Sequence, residues 1–359
     1  MQFSDQLQTK IDEIKTRIPK AKLGSLEFDS PLLLAPMSAI CNAPFRLLME
    51  KLGAGGTVSE LISCHGINYQ NKMTKKMLTI FPEEKNVGLQ LFGEDAEAMA
   101  KAAKVCEESR PKFIDINMGC PVRKVVTKGG GSALLKDTKK LSRFFKTIKD
   151  AIELPLTIKI RIGWDLDSIN ASEVIHIAHE EGVEFVAIHG RTRTQGYQGK
   201  ANWELLESLV ENSPLPLIGN GDLHTPRLVK ERLRVTNFPA LMLGRGALRN
   251  PFLFLESYLH ENDSISFTPK DYQEVIDELH KATLEYTDRE RTITTQMKKY
   301  ITWFAAGFEG VAKFRGEIFS SRDVSEILKK SENYFGALEI KKAIKQIDPN
   351  KSFMAGGHG

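Results

Sequence analysis

Short runs of apolar residues recur between positions 32 and 246, each bounded by Gly, Pro or charged residues. Runs of this kind, with little alternation, mark strands buried on both faces. The pattern predicts strands over residues 32–37, 57–60, 87–92, 113–118, 156–163, 185–190, 215–221 and 240–246. Between them the apolar spacing turns helical. Met99, Ala103 and Cys106 fall on one face of a helix expected over 95–108, which makes Cys106 a core residue. Further helices are expected over 44–52, 170–182, 203–210, 227–233 and 251–259. Asn170 with Glu173 three residues on makes a capping-box-like start, and Gly182 a stop. Eight strands, each with room for a following helix, predict an α/β fold, a (β/α)8 TIM barrel over residues 1–259. A doubly wound sheet would carry a Gly-rich turn after its first strand, and Ala35-Pro36-Met37-Ser38 supplies none.

The remaining segments read differently. A polar, Lys-rich lead-in ends near Ile18 and Pro19. Residues 61–86 read as long and irregular, the kind of connection that carries function or a lid. Residues 260–270 are polar and read as a linker. Beyond them the strand signals stop. Met297, Ile301, Phe304 and Phe308 recur at helical spacing, and residues 271–347 read as a small C-terminal all-helical domain. It carries Lys298, Lys299, Lys313, Arg315 and Arg322 beside Tyr300, Trp303 and Phe314. That mixture fits a charged face over an aromatic core, or a basic surface for a phosphate backbone. Residues 348–359 read as a disordered tail.

Composition narrows the class. At 359 residues, 41% hydrophobic and 27% charged, the chain is an ordinary globular protein with a net charge of +4, which permits a nucleic-acid partner without requiring one. Cys41, Cys64, Cys106 and Cys120 show neither a C-x-x-C pair nor metal-ligand spacing, so no metal is expected and a reducing cytoplasm fits. No signal peptide is read at the amino terminus. No apolar run approaches the roughly 20 residues of a membrane helix.

The strand ends carry the chemistry, because the carboxyl end of the strands is where this fold builds its sites. The first ends in Pro36 and Met37, and the third holds Gln90. The fourth gives Asn117 and then, past the break at Gly119, Cys120, with Pro121 stiffening the turn. The fifth gives Lys159 and Arg161, two apart and so on one face. The sixth ends His189-Gly190-Arg191, the seventh Asn220-Gly221-Asp222, the eighth Gly244-Arg245-Gly246. Each has a plain structural explanation: a small buried thiol, a Lys paired with a barrel carboxylate, a His closing a strand. Those explanations serve one position each and leave the set unaccounted for. Loops after strands seven and eight are the usual phosphate site of a barrel. Gly221 and Gly244 let backbone N–H groups approach an anion, and Arg245 adds a fixed charge and a planar donor fork. Lys159 needs an anion or an electron-rich ring edge beside it. Gln90 offers a donor and an acceptor to a flat ring edge. A phosphate on one side and a ring on the other suggest flavin mononucleotide (FMN). Gly129-Gly130-Gly131-Ser132 is no phosphate loop, since no Gly-Lys-Ser/Thr closes it. Whether Cys120 reacts or packs is left open by the residues alone.

Several motifs occur in a familiar order. They are Ala35-Pro36-Met37, Val58-Ser59-Glu60, Gln90-Leu91-Phe92, Asp115-Ile116-Asn117-Met118-Gly119-Cys120-Pro121, Gly130-Gly131-Ser132-Ala133-Leu134-Leu135, Lys159-Ile160-Arg161-Ile162-Gly163-Trp164, His189-Gly190-Arg191-Thr192-Arg193, Asn220-Gly221-Asp222 and Gly244-Arg245-Gly246. In these the chain resembles the tRNA-dihydrouridine synthases, most of all their bacterial B branch. The resemblance runs from about residue 32 to 254 and continues weakly through 297–303 and Arg315. It implies an FMN enzyme that reduces the C5–C6 double bond of uridine in tRNA with NADPH as electron source. On the matching positions it implies Cys120 as the catalytic thiol. It implies Pro36, Met37, Gln90, Lys159 and His189 along the flavin ring, and Asn220, Gly221, Asp222, Gly244 and Arg245 around the ribityl phosphate. Asn117, Arg161 and Arg191 are implied near the uridine. A cytoplasmic monomer acting on tRNA, without membrane or metal, follows from the same resemblance.

The chain departs from the family at Tyr300, where many relatives place a His, and at 195–199, which follows the branch pattern only roughly. Both bear on which uridine is selected. Three other readings stay open: a B-branch paralogue acting on ribosomal RNA, a flavin barrel oxidoreductase for a free pyrimidine-like molecule, and an RNA-binding module without activity.

Overall fold

The computed structural model describes residues 1–348, so the tail expected over 348–359 lies, apart from Asp348, outside the described residues. The lead-in is more ordered than its polarity implies. Helix α1 (Asp5–Lys15) is capped by the Ser4 hydroxyl, and Leu7, Ile11 and Ile14 form its buried stripe. A hairpin of β1 (Ala21–Leu23) and β2 (Leu26–Phe28) follows, paired antiparallel.

The barrel then begins with β3 (Leu32–Leu34), α2 (Ala43–Lys51) and β4 (Gly56–Val58). Next come β5 (Ile62–Ser63), α3 (Cys64–Asn68) and α4 (Lys72–Lys76). The sequence expected irregular chain there. Each element is too short to show a period, and the helices depend on caps, with the Ser63 and Asn71 side chains accepting from their first-turn N–H groups. The alternation continues with β6 (Val87–Phe92), α5 (Ala96–Glu107), β7 (Phe113–Met118), α6 (Arg123–Val126) and α7 (Leu141–Lys149). It goes on through β8 (Leu156–Arg161), α8 (Ala171–Glu180), β9 (Val186–His189), α9 (Trp203–Glu211), β10 (Leu217–Asn220), α10 (Pro226–Val235) and β11 (Ala240–Leu243). Short helices α11 (Arg245–Arg249) and α12 (Leu253–Glu256) close the barrel region.

The sheet closes on itself in the order β3, β4, β6, β7, β8, β9, β10, β11 and back to β3, every pairing parallel. This is an eight-stranded TIM barrel. Strand β5 pairs with β6 beyond the end of β4, so the second barrel strand is broken at Ser59-Glu60-Leu61 into two pieces. The first hairpin plugs the floor, where Phe28, Phe113 and Phe185 pack edge to face at 5.6–6.2 Å. Gly88 is required by that floor, since a Cβ there would lie 2.1 Å from the Phe113 ring. The apolar floor leaves polar side chains only the upper layers of the barrel interior.

A second core lies between strands and helices, and it runs on without a break into α13 (Pro269–Tyr286), α14 (Glu290–Phe304), α15 (Val311–Ser320) and α16 (Val324–Ile340). Phe252 stacks on Phe267 at 3.9 Å and meets Tyr272 edge-on. Tyr300 stacks on Phe45 of α2 and donates to Ile40 O at 2.8 Å. Each large side chain fully buried in this way contributes about 1.5–3 kcal/mol. Helix α1 reaches the same bundle: Lys10 pairs with Asp271 at 2.7 Å, Gln2 N–H donates to Glu278 and Ser4 to Glu274. Helix α14 stops at Phe304, so the helical spacing that included Phe308 overshoots. The chain turns there through Gly307, at φ +101°.

One buried ion pair fixes the 79–84 segment to α2. The Arg46 guanidinium holds Glu84 at 2.8 Å and donates to Cys41 O and Thr79 O, with both side chains almost wholly enclosed.

Candidate active site at the barrel mouth

The parallel register sets the polar residues of neighbouring strands side by side. Gln90 is opposite Asp115, Asn117 opposite Lys159, Arg161 opposite His189, and His189 opposite Asn220. The residues expected to act together are therefore brought together by the pleat. Met37 and Ala35 complete the ring from the first strand, their side chains 3.9 and 3.6 Å from where a Cβ on Gly244 would stand. Pro36 lies between them, half-buried.

Cys120 sits just past the end of β7, half-buried, on a loop fastened through its backbone. Its N–H donates to Asn117 Oδ1 at 2.9 Å, and its carbonyl accepts from Ser132 N–H and from the Ser132 hydroxyl at 2.9 Å. Desolvation pushes the thiol above its ordinary range, and the N–H of Val122 and the charge of Arg161 only partly offset this. The group is a thiol, not a thiolate, at neutral pH. Arg161 is fully buried. Its Nε donates to Gly119 O and its Nη1 to Thr192 O and Gly196 O, each at 2.8 Å. It thus ties the Cys120 loop to the loop after β9.

Lys159 donates to Asn220 Oδ1 at 3.1 Å, and Asn220 in turn donates to Met242 O at 2.7 Å. Burial and the neighbouring Arg161 bring the Lys159 ammonium down to about 8, with Asp115 acting against the fall. His189 is buried, and its basicity is held well below the ordinary imidazole range by burial and by Arg161, Lys159, Arg191 and Arg245 around it. Arg191 Nη1 lies 3.3 Å from His189 Nε2. A guanidinium only donates, so Nε2 accepts and the imidazole carries its proton on Nδ1.

Arg191 was expected to face the uridine. Its donors meet protein acceptors here: Nε donates to Gln198 O, Nη1 to His189, and Nη2 to Gly199 O and to Asp222 at 2.9 Å. Asp222 also accepts from Ala201 N–H and has φ +55°. Gly221 has φ +140°, and a Cβ there would lie 2.5 Å from that of Ala201, so only glycine carries the turn. The 195–199 loop, held by Arg161 and Arg191, presents Tyr197. Its ring stands 4.4 Å from the Arg245 guanidinium and 5.6 Å from that of Arg161.

Sequence reasoning passed over three contributors. Asp115 and Thr157 lie one layer below the mouth, and Ser132 anchors the Cys120 carbonyl. Asp115 gave a signal, a charge in an otherwise apolar strand two positions from Asn117. Trp164 forms a further cluster, with Lys136 at 3.7 Å and Arg193 at 4.5 Å over its ring, joining the loops after β7, β8 and β9. The aromatic half of the expected basic surface turns inward: Tyr300 faces α2, and Phe314 is buried, stacked on Tyr334 at 3.9 Å. Lys298 caps Phe319 O and Ser321 O, while Lys313 is exposed.

The mouth thus gathers four cationic side chains, a neutral imidazole and a protonated thiol, with a polar layer and then the aromatic floor beneath. Among the described residues no cluster of His, Cys, Asp and Glu has metal-ligand geometry, and no helix is long and apolar enough to cross a membrane.

Two solved structures share the barrel: a 2-naphthoyl-CoA reductase (TM-score 0.53, 14% identity, 68% of this chain and 52% of that one) and a histamine dehydrogenase from Rhizobium sp. 4-9 (TM-score 0.53, 12% identity, 74% and 51%). The chain spans about half the length of each, and the likeness shows the fold alone. Sequence relatives are nearer and match nearly end to end. A probable tRNA-dihydrouridine synthase of Rickettsia conorii is 33% identical over 326 residues, 89% of this chain and 98% of its own. A tRNA-dihydrouridine synthase B of Pseudomonas putida is 34% identical over 307 residues, 84% and 90%. The family model described as "Dihydrouridine synthase (Dus)" matches residues 33–341, from the first barrel strand to the end of α16. With that span covering both the barrel mouth and the helices behind it, the chain belongs to the dihydrouridine synthase family of enzymes.

Proposed function

We propose that this protein reduces the C5–C6 double bond of uridines in tRNA, holding FMN in the barrel mouth and drawing electrons from NADPH. The observation that carries the reading is the placement of Cys120. A thiol kept protonated by burial stands at the end of β7, beside the strand that bears Lys159 and Arg161.

The donor set fits FMN. Lys159 and Arg245 supply positive charge beside the glycine backbone of 221 and 244, and a Cβ on Gly244 would stand 3.6 Å from Ala35 and 3.9 Å from Met37, which leaves room above that backbone. Lys159 and His189 would line the ring edge, with Gln90 beneath them, its amide engaged by Asp115 and Asn117, while Asn220, Gly221, Asp222, Gly244 and Arg245 would hold the phosphate. Held there, FMN reduced by NADPH would supply hydride chemistry at uridine C6.

The chain's own residues do the rest. Cys120 delivers the proton to C5 as general acid. The Lys159 ammonium stabilises negative charge as it builds on the pyrimidine or on the ring edge it faces. His189 stays neutral, orienting through Nδ1–H and not serving as an acid. Arg161 spends three bonds on carbonyls, so its part near the uridine is to hold the Gly119–Cys120 turn and to lend potential. The target base must leave its stack to reach the thiol. Lys313 and Arg315 contact the RNA backbone from the helical region over 271–347, which we read as the RNA-binding part behind a linker at 260–270.

The test uses purified protein, NADPH and tRNA lacking dihydrouridine. Expected are tRNA-dependent NADPH oxidation, dihydrouridine in the tRNA, and FMN released on denaturation. Turnover of free uridine without tRNA, or dihydrouridine in ribosomal RNA alone, would replace this reading with one of its rivals.

A further inference from the structure

Below the mouth, a carboxylate sits where the reaction has no use for one. Asp115 is buried in the middle of β7, and both of its carboxylate oxygens are taken up inside the barrel. Its Oδ1 accepts from the Thr157 hydroxyl at 2.6 Å and its Oδ2 from Gln90 Nε2 at 2.6 Å. The chain of bonds continues upward. Gln90 Oε1 accepts from Asn117 Nδ2 at 2.8 Å, and Asn117 Oδ1 accepts from the N–H groups of Gly119 and Cys120.

Every bond in this series points the same way, from the Cys120 loop down to Asp115. A side-chain amide has two orientations, and turning either one would set N–H against N–H or oxygen against oxygen. The upper end is a backbone N–H, which can only donate. The lower end must therefore be a group that accepts from Gln90. Without one, the Gln90 amine becomes a buried donor with no partner, or both amides turn and Asn117 releases the Cys120 loop.

We propose that Asp115 is a positioning residue: as the acceptor at the foot of this series it fixes the amide orientations of Gln90 and Asn117, and through them the place of Cys120. Its catalytic consequence rests on the function proposed above; its structural consequence does not. The role depends on acceptance, not on charge. Asn at 115 offers its oxygen to Gln90 and its amine to Thr157, whose hydroxyl turns to Ile114 O, 3.5 Å away. Leu at 115 offers nothing.

The variants are Asp115→Leu and Asp115→Asn, read first by hydrogen exchange of backbone amides in the 15N-labelled protein without substrate. In Asp115→Leu the Gly119 and Cys120 amides should exchange at least ~10-fold faster while Ile114 and Ile116 keep wild-type protection; in Asp115→Asn all four should stay within about threefold, the scatter expected when one bond is kept. With tRNA and NADPH, Asp115→Leu should lose about 10–100-fold in flavin reoxidation by tRNA, the cost of misplacing a reacting group. Unchanged Cys120 exchange in a folded Asp115→Leu overturns the proposal. So does an Asp115→Asn protein as damaged as Asp115→Leu. If Asp115→Leu does not fold, the wild type decides: side-chain amide protons of Gln90 and Asn117 that exchange as fast as exposed ones would show that the series does not hold. Slow exchange at those amides with no activity on tRNA would instead leave the series standing and sink the proposed function.

Discussion

Replacing Cys120 by Ala separates chemistry from scaffold. The bonds that hold the 119–121 turn run through backbone atoms: the Cys120 N–H on Asn117 Oδ1 at 2.9 Å, the Cys120 carbonyl under Ser132 and the Gly119 carbonyl under Arg161. None of those bonds involves sulfur, so Ala keeps them. Loss of one half-buried sulfur costs about 1 kcal/mol or less, and the melting temperature should hardly move. The Lys159–Asn220 bond is untouched, so FMN retention and reduction by NADPH should stay near wild type. The proton donor alone is gone. Removing a general acid costs ~10²–10⁴-fold, or about 2.7–5.4 kcal/mol of barrier. The assay is single-turnover reoxidation of reduced flavin by unmodified tRNA. Serine should rescue little, because a hydroxyl yields its proton far less readily. The wild-type rate should be flat through neutral pH, decline as Lys159 loses its proton at about 8, and be lost as pH passes the raised thiol pKa, since the acid works in its protonated form. A Cys120→Ala protein that reoxidises at the wild-type rate and makes dihydrouridine would reduce Cys120 to a packing residue.

Four further outcomes follow from the same geometry. Arg245→Ala should lose FMN during dialysis while melting close to wild type; stoichiometric retention would remove Arg245 from the phosphate site. FMN affinity, followed by fluorescence quenching, should weaken as pH rises through about 8, where Lys159 loses the proton that attracts an anion. Glu84→Ala leaves the Arg46 guanidinium buried without its partner, and removing one member of such a pair costs about 3–5 kcal/mol, readable by urea unfolding. Lys313→Glu with Arg315→Glu should weaken tRNA binding and lower the slope of log affinity against log salt by about one per lost phosphate contact, without altering FMN content.

Most of the barrel is legible in the sequence because its strands are covered on both faces, so they read as unbroken apolar runs. The site is legible for a related reason: polar residues stand out at the ends of such runs, and the parallel register makes strand-end residues neighbours in space. Other features escape for equally physical reasons. The stripe of Leu7, Ile11 and Ile14 is three residues in a polar helix, visible only once Ser4 is read as its cap. Tyr300 lies one position from Ile301 and three from Met297, on the stripe that packs inward, and this outweighs the basic residues beside it. Arg191 shows the limit most clearly. Its motif marks it as functional, but its partners Gln198, Gly199 and Asp222 come from two loops whose approach only the fold creates.

The contacts of α1 with α12 and of its polar residues with α13 set an order of events during synthesis. Helix α1 is made first, yet Asp271, Glu274 and Glu278, which receive it, are some 260 residues further along. At ribosomal rates of about 5–20 residues per second, the apolar stripe of α1 waits on the order of tens of seconds for its seat. Until α12 and α13 are made, Leu7, Ile11 and Ile14 lack their share of that common core, and a chaperone that binds short apolar helices has its opportunity there.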